Sequence, residues 1–265
     1  YAGFENIASI ENTKLFCETL RFNNPKNIII GPPDYSGDIH NREELANILK
    51  EKLKIKTPFH GVFHGGPPCQ PFSIASNQRF AKQDHNFKRL GFLDQKKGNL
   101  LTDYVWFIIT FKPKVFLIEN VPGLNDIDDG VGLRQAIGEL ERAGYTVTEP
   151  TVFNEADFGV PQARRRLIII GAKSKRKFKF PEPKANHIPS LAAFIHPITD
   201  DKNHITRAHS AKSILRYLEL EYGRRDQLGR VDRLNPLLPS KTVIAGGTKG
   251  GGRSHLHPFI PRTIS

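Results

Sequence analysis

The sequence lacks several features that mark other classes of protein. Its 265 residues include only two cysteines, Cys17 and Cys69, so a disulfide framework is excluded. Its longest apolar stretch, near residues 105–111, is far shorter than the roughly 18 residues of a membrane-spanning helix. No basic-then-apolar leader is present, and no metal site is predicted. We therefore expect a cytoplasmic protein that does not enter a membrane. Methionine is absent, so we also expect the protein to begin before Tyr1.

Positive charge is concentrated towards the C-terminal end. The chain has 39 Lys and Arg against 27 Asp and Glu, a formal net charge of +12. The residues after Ala172 have 18 basic and 7 acidic side chains, whereas those up to Ala172 have 21 and 20. Such segregation is typical of a surface that binds a polyanion such as nucleic acid. Solvated surface lysines are the alternative.

Apolar runs alternate with amphipathic stretches over the first 172 residues. This pattern predicts strands at Asn6–Ile10, Asn27–Ile30, Gly61–His64 and Val115–Ile118, and helices near Thr13–Phe22, Arg42–Leu53, Asn99–Phe111 and Leu133–Ala143. Tyr145–Phe153 is predicted to pair with Leu167–Ile170. Strands alternating with helices predict an α/β fold with a mostly parallel sheet, which binds ligands beyond the carboxyl ends of its strands. Lys173–Lys184 is predicted to be a linker. A basic segment with one helix near Lys212–Glu221 follows it.

A turn-rich segment, Gly65-Gly66-Pro67-Pro68-Cys69-Gln70-Pro71-Phe72-Ser73, follows one apolar strand. It places a cysteine at the carboxyl end of that strand. A lone cysteine is more often a small core residue than a nucleophile. The flanking prolines and glycines argue against burial in a regular element, so Cys69 is a candidate nucleophile.

Two further polar motifs accompany strands. Glu119-Asn120-Val121 emerges from the apolar run Phe116–Ile118, which suits a carboxyl group that holds or donates a proton, although a helix N-cap is an alternative. Gln162-Ala163-Arg164-Arg165-Arg166 enters another strand, where a period of two puts Arg164 and Arg166 on one face. A plain edge-strand charge cluster would look similar.

Together these three motifs resemble those of the DNA (cytosine-5) methyltransferase family, in order and in spacing. Further matches are Ala2-Gly3-Phe4 with Glu11, Gly37-Asp38-Ile39, Gly98-Asn99-Leu100, Arg233 with Pro239-Ser240-Lys241-Thr242-Val243, and His257-Pro258 leading to Arg262. The family's glycine-rich first motif is expected before Tyr1, and its last motif beyond Ser265.

The resemblance implies a Rossmann-like S-adenosylmethionine-dependent methyltransferase sheet with helices on both faces, plus a small basic target-recognition domain. The catalytic domain is expected at residues 1–174 and again at 258–265, with target recognition at 175–257. The implied function is methylation of carbon 5 of a flipped-out cytosine in a specific DNA sequence through a covalent Cys69 adduct, with S-adenosylhomocysteine as the second product.

The resemblance also implies residue roles. Cys69 is the nucleophile, Glu119 acts on ring nitrogen 3 and the exocyclic amine, Arg164 contacts the cytosine carbonyl, Arg166 supports the same loop and Asn120 orients the turn that bears Cys69. Glu11 binds the cofactor ribose and Asp38 the adenine amine, while Pro67 and Leu100 line the pocket. Expected DNA contacts are Ser73, Gln78, Arg224, Arg225 and Arg233, and the polar segment Ile74–Gln95 is expected to close over the flipped base.

Two alternatives stay open. One is the tRNA-methylating branch of the same family, and the other is a catalytically silent DNA-binding relative, which would lose the cysteine or the acid. Double-stranded DNA is the expected partner, the chain is expected to be a monomer, and a partner restriction endonuclease is possible.

Overall fold

The computed structural model describes residues 3–67, 100–175, 178–184, 186–195, 208–229, 231–243 and 255–264. The chain divides into two compact units. The first comprises Tyr1–Thr151 and Leu167–Lys179, and the second comprises Val152–Arg166 and Phe180–Ser265. These units are regions of dense internal packing. The boundaries of the catalytic and target-recognition domains at residues 174 and 258 stay a prediction.

The elements of the first unit follow the predicted alternation. In chain order they are β1 (Ala8–Ile10), α1 (Lys14–Asn23), β2 (Ile28–Ile30), α2 (Arg42–Asn47), β3 (Val62–Gly65), α3 (Leu100–Phe111), β4 (Val115–Asn120), α4 (Val131–Arg142) and β5 (Thr146–Val147). A π-helical turn, Ile48–Lys52, extends α2. The helices and strands predicted up to Ala143 are therefore confirmed, with ends that shift by no more than two residues. The predicted strand Tyr145–Phe153 is instead divided into two short strands, Thr146–Val147 and Thr151–Asn154, both of which pair with the strand predicted at Leu167–Ile170.

The remaining elements are short, apart from one strand and one helix. They are β6 (Thr151–Asn154), β7 (Gln162–Ala163), β8 (Arg165–Ala172), α5 (Ala211–Glu219), β9 (Arg225–Asp226), β10 (Val231–Asp232) and β11 (Ser240–Lys241). A 3-10 turn, Glu155–Phe158, follows β6. The single helix predicted for the basic segment is confirmed as α5, and Ser210 caps it by accepting a hydrogen bond from the Ser213 N–H.

The sheet is mixed rather than mostly parallel. β1 and β2 form a parallel pair, with Ala8 opposite Ile28. The larger sheet has the order β3-β4-β8-β5, and β6 also pairs with β8. β3 and β4 are parallel, whereas β8 runs antiparallel to both β4 and β5. The expectation of a mostly parallel sheet is thus corrected at β8, because hydrophobic periodicity does not encode strand direction.

The core of the first unit forms around α3 and β4. α3 is apolar on nearly every side and buries Leu101, Ile108 and Phe111 almost completely. β4 alternates: Phe116, Ile118 and Asn120 are buried, and the other three residues are half-buried. The packing of both elements in the core therefore fixes the positions of the polar residues at their ends.

Among the described helices, none has the length and the apolar character that a membrane span requires.

Arg233 organises the second unit. Its guanidinium donates to the carbonyls of Tyr217, Leu218 and Leu220, which lie at or just beyond the C-terminal end of α5. It also donates twice to the Pro258 carbonyl. These are the carbonyls that a helix end leaves without intrahelical partners. Arg233 therefore ties the end of α5 to the segment around Pro258.

We expect Arg233→Ala to destabilise the protein by about 2–4 kcal/mol, because several buried or half-buried carbonyls lose a charged donor at once. Arg224→Ala is the matched control, since the Arg224 side chain is 73% exposed and its ion pair in the described part of the chain is with the exposed Glu221. Denaturant unfolding of both variants measures the difference. Equal stability of the two variants would contradict this role for Arg233.

Candidate active site

The carboxyl ends of β3 and β4 lie side by side. The two strands are parallel, and their register places Gly65 opposite Ile118. The residues that follow, Gly66-Pro67 on one strand and Glu119-Asn120 on the other, therefore meet at one edge of the sheet. In α/β sheets this is the edge where ligands bind.

Glu119 holds its carboxylate close to the backbone of Gly66. A Cβ atom built on Gly66 would lie only 3.1 Å from Oε2 of Glu119, closer than ordinary van der Waals contact. Glu119 itself is half-buried. The missing side chain at Gly66 therefore leaves room for the acid beside the chain that leads to Cys69.

Asn120 joins the two strand ends. Its side chain is almost fully buried, and its amide Nδ2 donates to the Pro67 carbonyl at 3.2 Å. Its Oδ1 accepts a hydrogen bond from the Val121 N–H at 2.9 Å. A buried amide with a partner at each end fixes the local backbone on both sides. Asn120 thus holds Pro67 in place against the end of β4.

Tyr104 supports the same edge from helix α3. Its ring lies against Gly65, where a Cβ atom would approach Cζ of the ring to 2.7 Å. Its hydroxyl donates to the Leu117 carbonyl at 3.2 Å. Burial raises the pKa of the Tyr104 phenol far above its ordinary value, so this group acts as a neutral donor. Sequence reasoning missed Tyr104, which looks like one more apolar helix residue.

Three predicted site residues, Cys69, Ser73 and Gln78, and the segment Ile74–Gln95 lie outside the described residues. The other cysteine, Cys17, is described and fully buried in α1, as expected for a core residue. Burial raises the pKa of the Cys17 thiol, and Sγ lies 3.2 Å from the Glu11 carbonyl oxygen. Cys17 is therefore unsuited to act as a nucleophile.

Two glycines lie against the backbone carbonyl of Glu11. A Cβ atom on Gly31 would lie 2.0 Å from the carbonyl oxygen of Glu11, and one on Gly37 would lie 2.1 Å from the same atom. Gly37 also has a positive φ of +63°, which glycine adopts without strain. The two glycines therefore bring the end of β1 close to the segment that begins with Asp38.

Each of these carboxylates has one oxygen that is fixed by the backbone. Oε1 of Glu11 accepts from the Thr13 N–H at 2.8 Å, and Oδ1 of Asp38 accepts from the His40 N–H at 3.0 Å. The other oxygen of each acid has no protein partner among the described residues. Two oriented, half-buried acceptors suit the hydroxyls and the amine of an adenosyl group, so these residues fit such a cofactor.

The two residues that are expected to line the pocket differ in burial. Leu100 is buried at the start of α3. Pro67 is half-buried and is held by Asn120. Both belong to the first unit, as do Glu11 and Asp38.

Arg164 lies in the second unit, at the break between β7 and β8. Its Nε lies 3.2 Å from Oε1 of Glu155, and its backbone N–H donates to Oδ1 of Asn154 at 3.1 Å. Arg164 and Arg166 are half-buried while Arg165 is exposed, which agrees with the predicted alternation. Nη1 of Arg166 donates to the Arg165 carbonyl at 2.8 Å.

The three arginines predicted to contact DNA have different surroundings. Arg224 is the most exposed. Arg225 is 42% exposed and pairs with Asp232 at 3.3 Å, as does Lys241. Arg233 is engaged by backbone carbonyls, which favours a structural role over the expected DNA contact. The sequence predicted DNA contacts for all three, because hydrogen bonds from a side chain to distant backbone carbonyls leave no local pattern.

Comparison with known proteins identifies the family of this chain. A family model described as C-5 cytosine-specific DNA methylase matches residues 1–232. The Type II methyltransferase M.AquIA of Picosynechococcus sp. is 34% identical over 200 residues, which are 72% of this chain and 72% of that protein. M.NgoFVII of Neisseria gonorrhoeae is 32% identical over 289 residues, with 100% of this chain and 70% of that protein covered. M1.HphI of Haemophilus parahaemolyticus is 30% identical over 80% of this chain, which spans only 54% of that protein.

Solved structures show the same fold. A DNA modification methyltransferase encoded within an E. coli prophage matches with a TM-score of 0.72 and 21% identity, over 99% of this chain and 80% of that one. The methyltransferase EhMeth of Entamoeba histolytica matches with a TM-score of 0.58 and 16% identity, over 98% of this chain and 69% of that one. The predicted methyltransferase α/β fold is thereby confirmed.

The contact between Gly37 and Glu11 can be tested by adding a methyl group. We expect Gly37→Ala to destabilise the protein by at least about 3 kcal/mol, because left-handed strain is joined by a clash with a backbone oxygen. Gly223→Ala is the matched control, since Gly223 has a φ of +77° and nothing within 4 Å of its Cβ position. It should lose only about 1–2 kcal/mol. Equal losses in denaturant unfolding would contradict the close approach.

Proposed function

The chain belongs to the family of C-5 cytosine-specific DNA methylases, and we propose that it methylates carbon 5 of cytosine in DNA. The observation that carries the proposal is the shared edge of β3 and β4. There the half-buried Glu119 lies beside Gly66, and Asn120 holds Pro67 two residues before Cys69. In this arrangement the cysteine can attack the ring as a nucleophile, and the nearby acid can donate the proton that the ring requires.

The methyl group is supplied by S-adenosylmethionine, which carries it on a positively charged sulfur. Glu11 accepts hydrogen bonds from the ribose hydroxyls through the oxygen that Thr13 leaves available. Asp38 accepts from the adenine amine through the oxygen that His40 leaves available. Leu100 and Pro67 cover the apolar parts of the adenosyl group. These four roles rest on the family resemblance, and the half-buried carboxylates support them.

Cys69 is the proposed nucleophile. Carbon 5 of cytosine is a poor nucleophile until a group adds to carbon 6. The Cys69 thiolate forms a bond to carbon 6, and the electron pair of the ring double bond moves towards carbon 5. Carbon 5 then bonds the methyl group with this electron pair, the bond from the methyl group to the cofactor sulfur breaks, and S-adenosylhomocysteine is left. A base then removes the proton from carbon 5, the ring double bond re-forms and the Cys69 sulfur departs as thiolate. The cytosine must leave the helix stack for this attack.

Glu119 and Arg164 are proposed to balance charge on the ring. Glu119 donates a proton or a hydrogen bond to ring nitrogen 3 and accepts from the exocyclic amine, which draws electron density out of the ring as sulfur adds. Arg164 contacts the carbonyl oxygen, where a fixed cation offsets developing negative charge. Arg166 supports the loop of Arg164, and Asn120 orients the turn towards Cys69.

Exposed basic side chains are proposed to bind the DNA backbone. Arg224 extends into solvent, and Arg225 keeps a partly exposed guanidinium beside Asp232. Ser73 and Gln78 are proposed to contact DNA near the target base. The excess of positive charge after Ala172 supports a polyanionic substrate.

Transfer of a radioactive methyl group tests the proposal directly. The protein is incubated with methyl-labelled S-adenosylmethionine and either unmethylated duplex DNA or tRNA, and the labelled nucleosides are identified after digestion. Label should appear in DNA as 5-methylcytosine. Duplex DNA in which 5-methylcytosine replaces every cytosine is the control and should stay unlabelled. Label confined to tRNA, or binding of DNA without any transfer, would contradict the proposal.

We expect Glu119→Gln to lower the rate of methyl transfer on the order of a hundredfold, because the amide keeps the shape of the acid but cannot transfer its proton. Stability and cofactor affinity should stay unchanged. Glu139→Gln is the control, because Glu139 is an exposed acid on α4. A Glu119→Gln variant whose main defect is weaker cofactor binding would show that this acid does not serve the base.

A further inference from the structure

A buried carboxylate lies in the first turn of α3. The side chain of Asp103 is only 4% exposed. Its Oδ1 lies 2.5 Å from both Nε and Nη2 of Arg42, and its Oδ2 lies 2.5 Å from Nδ1 of His40. A charge at this depth is costly unless it is closely paired. The Asp103 carboxylate is therefore paired with Arg42 through Oδ1, and His40 lies in close contact with Oδ2.

Both partners come from one short stretch of chain. His40 and Arg42 lie at the start of α2 and are about one third exposed. Arg42 also lies over the ring of Trp106, one turn further along α3, with Cζ 5.8 Å from the ring centre. The segment around α2 is thus fastened to α3 through two side chains that meet a single acid.

The fastened segment contains Asp38. The backbone N–H of His40 donates to Oδ1 of Asp38, so a shift of His40 would turn the Asp38 carboxylate. On the other side of the contact, Leu100 lies three residues before Asp103 on the same helix, a spacing that places the two on one helix face. Asp103 therefore connects the segment of Asp38, which is assigned to the adenine amine, with the helix of Leu100, which is assigned to the apolar part of the adenosyl group.

We propose that Asp103 is a positioning residue for the adenosyl group of the cofactor, acting through His40 and Arg42 on Asp38. The inference rests on the proposed function, since it concerns the cofactor role assigned to Asp38. Asp103 does not touch the cofactor. It sets the distance between the Asp38 segment and α3, and so the width of the subsite between Asp38 and Leu100.

Binding of S-adenosylhomocysteine provides the test. This product lacks the positive sulfonium, so removal of a negative charge does not by itself weaken its binding. Trp106 is the only tryptophan in the chain and lies beside Arg42, so its fluorescence reports on the same contact, and calorimetry gives the affinity. Asp103→Asn should weaken binding roughly tenfold, the usual effect of losing a hydrogen bond between charged groups.

Matched variants separate positioning from general instability. Glu43→Gln removes a charge from an exposed neighbour on α2 and should leave binding unchanged. Arg42→Lys keeps the charge but loses the planar guanidinium, so it should retain part of the affinity that Arg42→Ala loses. If Asp103→Asn does not fold, His40→Ala and Arg42→Ala give the same measurement at half-exposed positions. DNA affinity should stay within about twofold throughout.

The outcomes distinguish this inference from the proposed function. If Asp38→Ala weakens binding but Asp103→Asn and both partner variants do not, the positioning role is wrong. If affinities for the cofactor product and DNA fall together, Asp103 serves only the stability of the fold and the inference is overturned. If Asp38→Ala itself leaves binding unchanged, the cofactor role of Asp38 fails.

Discussion

The parallel pairing of β3 and β4 is the constraint on which the candidate active site depends. It brings two chain segments, separated by more than fifty residues, to one edge of the sheet. Asn120 then joins them through the Pro67 carbonyl, and Tyr104 supports them from α3. Because Asn120 and Tyr104 are buried and hydrogen-bonded, the position of Glu119 relative to the chain leading to Cys69 is set before any substrate arrives.

A second close approach shapes the proposed cofactor side. The Glu11 carbonyl lies against two glycines, which leaves no room for a side chain at either position. The Asp103 contacts then hold the following segment against α3. Backbone contact on one side and a buried ion pair on the other thus position two acids whose remaining oxygens are available to a ligand. Both sites are built by packing in the first unit rather than by the polar residues alone.

Much of this arrangement could be predicted from the sequence. The strand directions and the long-range side-chain contacts could not, for physical reasons. Periodicity identified the strands and helices, and polar residues directly after apolar runs identified Glu119 and Asn120. Periodicity does not encode strand direction, so the strand at β8 was predicted but its antiparallel direction was not. Arg233 was expected to contact DNA and Arg42 appeared only as the start of a helix, because their partners are backbone carbonyls and an acid 61 residues away. Long-range partners of single side chains leave no local pattern.

Covalent trapping of the enzyme on DNA tests whether Cys69 is the nucleophile. The protein is incubated with S-adenosylmethionine and duplex DNA that carries 5-fluorocytosine at the target site, and the denatured product is digested and mapped. Fluorine cannot leave carbon 5 as a cation, so the bond between sulfur and carbon 6 should persist. We expect a denaturant-resistant adduct at Cys69 that is absent from Cys69→Ser, whose hydroxyl supplies almost no anion for attack. A crosslink at another residue, or undiminished trapping by the serine variant, would contradict it.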